Sequence, residues 1–153
     1  MKRLDRTTKL LPEVVAKLAT IETPKIWLVL TEGWCGDAAQ SLPIMVKMAS
    51  ENPNIEIKFL LRDEHLNVMD EFLTNGGRSI PKLIILEKES LKVLASWGPR
   101  PAALQKIFLE AKKSPDFNYP EIQKEMQLWY HKDKGVSTQE EIIELLLGQT
   151  HQN

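Results

Sequence analysis

Glu32-Gly33-Trp34-Cys35-Gly36-Asp37-Ala38 joins two stretches of unlike pattern. Before it, Ile26-Trp27-Leu28-Val29-Leu30 is an unbroken apolar run, the pattern of a strand covered on both faces. After it, Leu42, Met45, Val46 and Ala49 fall on one face of a helix that opens near Asp37. Cys35 therefore stands where a strand passes into a helix. The first N–H groups of a helix have no partner within it, and the aligned peptide dipoles leave partial positive charge there. Both favour a thiolate over a thiol, so a cysteine at such a place is a candidate nucleophile. Gly36 is expected to let the chain turn tightly beside the sulfur. Asp37 works the other way, since a carboxylate close to a thiolate opposes its ionisation.

Working outward, residues 7 to 21 are predicted helical, with Leu11, Val14, Val15 and Leu18 in register and Pro12 near the start. Thr23-Pro24 ends that pattern. Downstream, Pro43 lies inside the helix after Cys35 and is expected to kink it. Ile55 to Leu61 reads as a second buried strand, residues 64 to 74 as a helix that Gly76-Gly77 terminates, and Leu83 to Leu86 as a third strand preceded by Ile80-Pro81. Residues 91 to 97 read as a fourth strand, antiparallel to the third. Gly98-Pro99-Arg100-Pro101 is a stiff loop, and Leu104, Ile107, Phe108 and Ala111 mark another helix. The parallel first pair implies a right-handed crossover. Residues 113 to 153 carry two further helical stripes. One runs through Ile122, Met126, Trp129 and Tyr130. The other is a short last helix opened by a capping box at Ser137-Thr138-Gln139-Glu140. These are expected to pack onto the same domain, with a partner-docking surface as the sharper alternative.

Composition narrows the function. The 153 residues are 42% hydrophobic and 27% charged, an ordinary globular balance. With 20 Lys plus Arg against 21 Asp plus Glu, the net charge is −1. Nucleic-acid binding would need a basic excess. No apolar run is long enough to span a membrane. The basic start Met1-Lys2-Arg3-Leu4-Asp5-Arg6 is not followed by the apolar stretch of a secretory signal, so a cytoplasmic location is expected. Cys35 is the single cysteine, which excludes an internal disulfide and a cysteine-based zinc site. His65, His131 and His151 are scattered. No metal site is expected, and the oligomeric state is open.

The element order and Trp34-Cys35-Gly36 resemble the thioredoxin family. Pro43 matches that family's kinking proline, Ile80-Pro81 its cis-proline facing the cysteine, and Gly98 its glycine after the last strand. The resemblance covers residues 24 to 112, and Trp-Cys-Gly-Asp is similar to a bacterial subgroup. It implies a three-layer α/β/α thioredoxin fold with a central mixed sheet of about four strands. An N-terminal helix and a C-terminal helical extension (113–153) complete one domain over 1–153. It brings no cofactor.

The departures bear on mechanism. Where the family places its resolving cysteine stands Ala38, and where it buries a proton-transferring acid stands Val29. Turnover by a dithiol needs the second thiolate, so the resemblance implies at most monothiol exchange. Cys35 would form a mixed disulfide with a protein or a low-molecular-weight thiol. Ile80 and Pro81 would pair with an extended chain. Trp34 and Trp97 would line an apolar groove, with a core position equally open for Trp97. Arg100 could hold a carboxylate of a small thiol, although a solvated loop charge is the preferred reading for it, and for Arg78. The alternative is a non-catalytic peptide- or protein-binding module on the same scaffold.

Overall fold

The apolar run before Cys35 becomes strand β1 (Lys25–Thr31), and it is the inner strand on which the sheet is built. The computed structural model describes residues 9–33 and 36–150, the last two without their side chains. Four strands lie in the order β2-β1-β3-β4. Strand β2 (Ile55–Leu61) runs parallel to β1, from Lys25 opposite Ile55 to Thr31 opposite Leu61. Strand β3 (Lys82–Glu87) runs antiparallel on the other side, with Leu30 opposite Lys82. Strand β4 (Val93–Trp97) is antiparallel to β3, with a register shift at Ile85/Leu86.

Helices flank both faces of this mixed sheet. Helix α1 (Pro12–Leu18), helix α2 (Gly36–Ser50) and helix α6 (Val136–Thr150) contribute to one cluster with Trp27, Val29, Leu83, Ile85 and Trp97. On the opposite face Leu30, Ile80 and Ile84 pack with Met69 of the short helix α3 (Leu66–Met69). Helix α4 (Ala102–Lys112) and helix α5 (Tyr119–Asp133) share a third cluster of Leu104, Ile122, Met126 and Tyr130. Among the described residues no helix is long and apolar enough to cross a membrane.

Several elements differ from their sequence pattern. Helix α1 covers only the middle of the predicted 7–21 span, of which residues 7 and 8 lie outside the described residues. Strand β2 is not buried on both faces: Phe59 and Leu61 are each 46% exposed. It forms one edge of the sheet, and an apolar run reports cover on both sides only for an inner strand. The helix predicted over 64–74 shrinks to Leu66–Met69 after a 3-10 turn at Arg62–Glu64. Past this short helix the chain makes a tight turn in which Thr74 and Gly77 exchange both backbone bonds at 2.9 Å. Asn75 (φ 51°) and Gly76 (φ 78°) supply its two left-handed positions, the conformation that Asn-Gly favours. That preference outweighs the helix period, and Gly76-Gly77 is no helix cap. Pro43 does lie inside helix α2, where the pattern placed it.

The largest difference is at the C-terminal end. Helix α6 is 15 residues long and begins before Ser137, so the predicted capping box does not form. Lys134 (φ 54°) and Gly135 (φ 77°) reverse the chain instead. The Asp133 carboxylate accepts from the Ser137 N–H at 3.0 Å and the Ser137 hydroxyl at 2.6 Å. Gln139 is released from capping and fully buried at 0% exposure. Its Oε1 accepts from the Leu11 N–H at 2.8 Å, and its Nε2 donates to the Lys9 carbonyl at 3.0 Å. One amide thus fastens the segment entering α1 to the last helix. Gln139→Ala leaves two backbone groups unpaired and should cost about 2 kcal/mol. Urea unfolding of the two proteins measures it, and an unchanged midpoint would disprove the clamp.

Candidate active site at the start of helix α2

The connection from β1 to α2 is four residues long, and α2 opens at Gly36. Trp34 and Cys35 lie outside the described residues. Gly36 is the first residue of the helix. Its lack of a side chain serves packing: a Cβ there would meet the Gln127 amide of α5 at 3.4 Å. Gln127 also accepts a bond from Gln40 of α2 at 2.8 Å. The C-terminal extension therefore rests directly on the first turns of α2.

Asp37 is the centre of this junction. Arg100 donates to it from Nη2 at 2.9 Å and from Nε at 3.4 Å, and the Tyr130 hydroxyl of α5 donates at 2.5 Å. The Asp37 and Arg100 side chains are only 12% and 10% exposed. Arg100 is further held by the Gln105 amide oxygen at 2.6 Å and lies 4.5 Å over the Phe108 ring. It is therefore not a solvated loop charge, and the carboxylate it holds belongs to its own chain. The pairing spans 63 residues, a separation that no local sequence pattern reveals. Tyr130 is legible in the sequence only as one more apolar position in a helical stripe.

The segment beside this junction is equally closed. Ile80 is 6% exposed, Pro81 is buried, and the Ile80–Pro81 and Gly98–Pro99 peptides are cis. Gly98 has φ 116°, and a Cβ there would run into the Pro81 carbonyl oxygen. Only glycine fits such a close approach at that backbone angle. Lys82, one residue past Pro81, is buried and donates to Thr74 Oγ1 and to the Gly98 carbonyl, each at 3.0 Å. Burial pushes its amine below the usual lysine range, because the charged form loses water. Trp97 is a core side chain, 5% exposed, and its indole N–H donates to Glu141 of α6 at 2.8 Å. It does not line an open groove. Arg78 is a surface residue paired with Asp70 at 2.8 and 3.1 Å. Among the described residues no group of three or more His, Cys, Asp or Glu could hold a metal ion.

A family model described as thioredoxin matches residues 1–114. The chain belongs to the thioredoxin family. No curated protein matches it in sequence. Two solved structures resemble it over nearly its whole length. A protein of unknown function from Pseudomonas aeruginosa aligns with a TM-score of 0.73 and 19% identity, covering 96% of this chain and 81% of that one. An HIV epitope-scaffold protein aligns with a TM-score of 0.70 and 19% identity, covering 96% and 82%. At that identity they attest the fold alone. The fold they share takes in helices beyond the family match, since 96% of the chain is aligned.

Two positions set this thioredoxin-family chain apart. Ala38, the position that the sequence resemblance matches to the second cysteine, is 3% exposed in the first turn of α2. Val29 is fully buried among Trp27 and Met45, so this part of the core has no carboxylate.

Arg100→Met strands the Asp37 charge in a nearly closed site and should cost about 3 kcal/mol, with much of it regained in Asp37→Asn/Arg100→Met. Chemical unfolding of the three proteins checks this, and an Arg100→Met protein of normal stability would contradict it. Lys82 gives a pH signature. Unfolded, its amine keeps its proton up to the ordinary value of 10.5. Folded, it loses it earlier. Between those two values the unfolded chain binds more protons, so stability climbs with pH and levels off above 10.5. Burial also pushes Lys25 down, and that contribution is common to wild type and Lys82→Met. The difference between their stability–pH curves should therefore carry the Lys82 climb alone; parallel curves would refute it.

Proposed function

We propose that this chain is a thioredoxin-type redox protein that works through one thiol in a reducing, cytoplasmic setting. The Cys35 thiolate attacks one sulfur of a disulfide. A new S–S bond forms to Cys35, and the other sulfur leaves as a thiolate. The thiolate of an external low-molecular-weight thiol then attacks the sulfur joined to Cys35. Cys35 leaves as a thiolate, and the former partner carries the new disulfide. The two steps balance without a second cysteine in the chain.

The single observation that supports this reading best is the position of Cys35 in a thioredoxin-family chain, directly before the first residue of the 15-residue helix α2. The dipole of that helix favours a thiolate. A small thiol suits the site better than a broad protein surface, because Ile80, Pro81, Pro99 and Pro101 are all buried and Gln127 lies over Gly36. A second reading, a binding module without turnover, draws support from the apolar, buried Ala38 and Val29. Both parts of dithiol chemistry are replaced by core residues.

Oxidised glutathione should add one glutathione per chain, detected by mass spectrometry. Reduced glutathione should remove it, and Cys35→Ser should abolish both the adduct and the reduction of a small mixed disulfide. Disulfide reduction surviving in Cys35→Ser would end the monothiol reading. No adduct, with partner capture unaffected by Cys35→Ser, would establish the binding module instead.

A further inference from the structure

Strand β2 lies at an edge of the sheet, and among the described residues β1 is its one strand neighbour. Which backbone groups it leaves open follows from one bond. The Lys25 N–H donates to the Asn54 carbonyl at 2.8 Å, and Lys25 stands opposite Ile55. Successive residues of a strand turn their N–H and C=O to alternate sides. The even-numbered residues of β2 therefore bond to β1, and Ile57 and Phe59 direct theirs to the open edge. Ile55 adds its carbonyl there, its N–H being taken by the Asn52 carbonyl at 3.0 Å.

An open row of this kind is a template for another strand, and edges that stay single are blunted by proline, a bulge or an unmatched charge. Strand β2 has no proline, and it pairs with β1 without a register shift. Phe59 and Leu61, both exposed, lie on the face it shares with Ile55 and Ile57. The opposite face carries Glu56 and Lys58, 3.8 Å apart with side chains 43% and 58% exposed. The edge is thus apolar on one face and carries one charge of each sign on the other.

We propose that β2 is a homodimer interface, at which two copies of this chain pair edge to edge, antiparallel, about a twofold axis at Ile57. Charge selects this register. With the axis at Ile57, Glu56 of each copy stands opposite Lys58 of the other, at a position without backbone bonds where side chains approach most closely. With the axis at Lys58, that lysine would oppose its own copy, a repulsive pair. With the axis at Phe59, Lys58 would face Leu60. The Ile57 residues exchange N–H···O bonds, and each Phe59 N–H donates to the Ile55 carbonyl of the other copy. On the apolar face Phe59 then lies across from Ile55, an aromatic and β-branched pair of the favourable kind. The complement this edge asks for is a Glu-x-Lys strand read in the opposite direction, and Glu56-Ile57-Lys58 is that strand. A closed twofold pair also consumes both β2 edges.

Sedimentation equilibrium of the full chain tests this, with reductant present so that no disulfide joins two copies and with folding verified by near-UV circular dichroism. Wild type should associate reversibly to a dimer. Lys58→Glu and Glu56→Lys each turn the cross-axis pairs into like charges and should weaken association about tenfold. Glu56→Lys/Lys58→Glu should restore it to within about threefold of wild type, because the pairs are remade with their signs exchanged. Phe59→Lys, at an exposed position, should also weaken it about tenfold or more. A wild type that stays monomeric at the highest concentration reached, a dimer indifferent to the charge reversals or to Phe59→Lys, or a double variant no stronger than the single ones would each overturn the proposal. None of these readouts uses Cys35, so the dimer and the proposed function fail separately.

Discussion

The inner position of β1 is the constraint on which the rest of the molecule depends. Hydrogen bonded on one side to β2 and on the other to β3, it presents Trp27 and Val29 to one face and Leu30 to the other. None of the three retains any contact with water. A face carrying an indole needs wide cover, and α1 and α2 share that task with Ile142, Ile143 and Leu146 of the last helix. The C-terminal extension is thus bound into the core by the same burial that organises the sheet, which is the dominant favourable contribution to folding. Its distant partner, the segment entering α1, is then fixed by the Gln139 amide.

Because α6 is anchored in the core, α5 before it has little freedom. The reversal at Lys134 and Gly135 is tight; a Cβ on Gly135 would come within 2.7 Å of Ile44 Cδ1 of α2. Helix α5 then runs back along α4, burying Ile122 and Met126 against Leu104, and brings Gln127 and Tyr130 over the start of α2. Hydrophobic burial far from the site therefore decides which polar groups meet Asp37. Coupling between sites of this kind is carried by packed elements rather than by a chain of charges.

The division between what is legible in the sequence and what is not reflects the range of each interaction. Strand β1, helix α2, the Ile80–Pro81 segment and Gly98 are written in local patterns of apolar residues, proline and glycine, and the sheet with its flanking helices is readable from them. The helix expected over 64–74 is cut to Leu66–Met69, and Asn75-Gly76 carries a shorter-range preference for the tight turn that follows. The edge position of β2 depends on what the strand does not pair with, which no window of its own residues records. Arg100 illustrates the limit best. Between two prolines it reads as a loop charge, yet Asp37, 63 residues earlier, makes it one of the most enclosed charges in the molecule. Tyr130 stands 93 residues from the same carboxylate, and only the fold joins them.

The two departures from dithiol chemistry concern one function. A second cysteine needs a nearby base to become a leaving or attacking thiolate, and a buried carboxylate is costly to keep once it has no proton to move. With Ala38 in the place of the sulfur, a carboxylate at position 29 would be an uncompensated charge beside Trp27 and Met45. Valine there removes that cost and fills the core. The carboxylate that remains near the site is Asp37, and it differs from a buried catalytic acid in every physical respect. It lies at a helix start, it is matched by a guanidinium, and it accepts from a phenol. Asp37 is therefore tied into the junction of α2, the loop before α4 and α5, while position 29 belongs wholly to the apolar core.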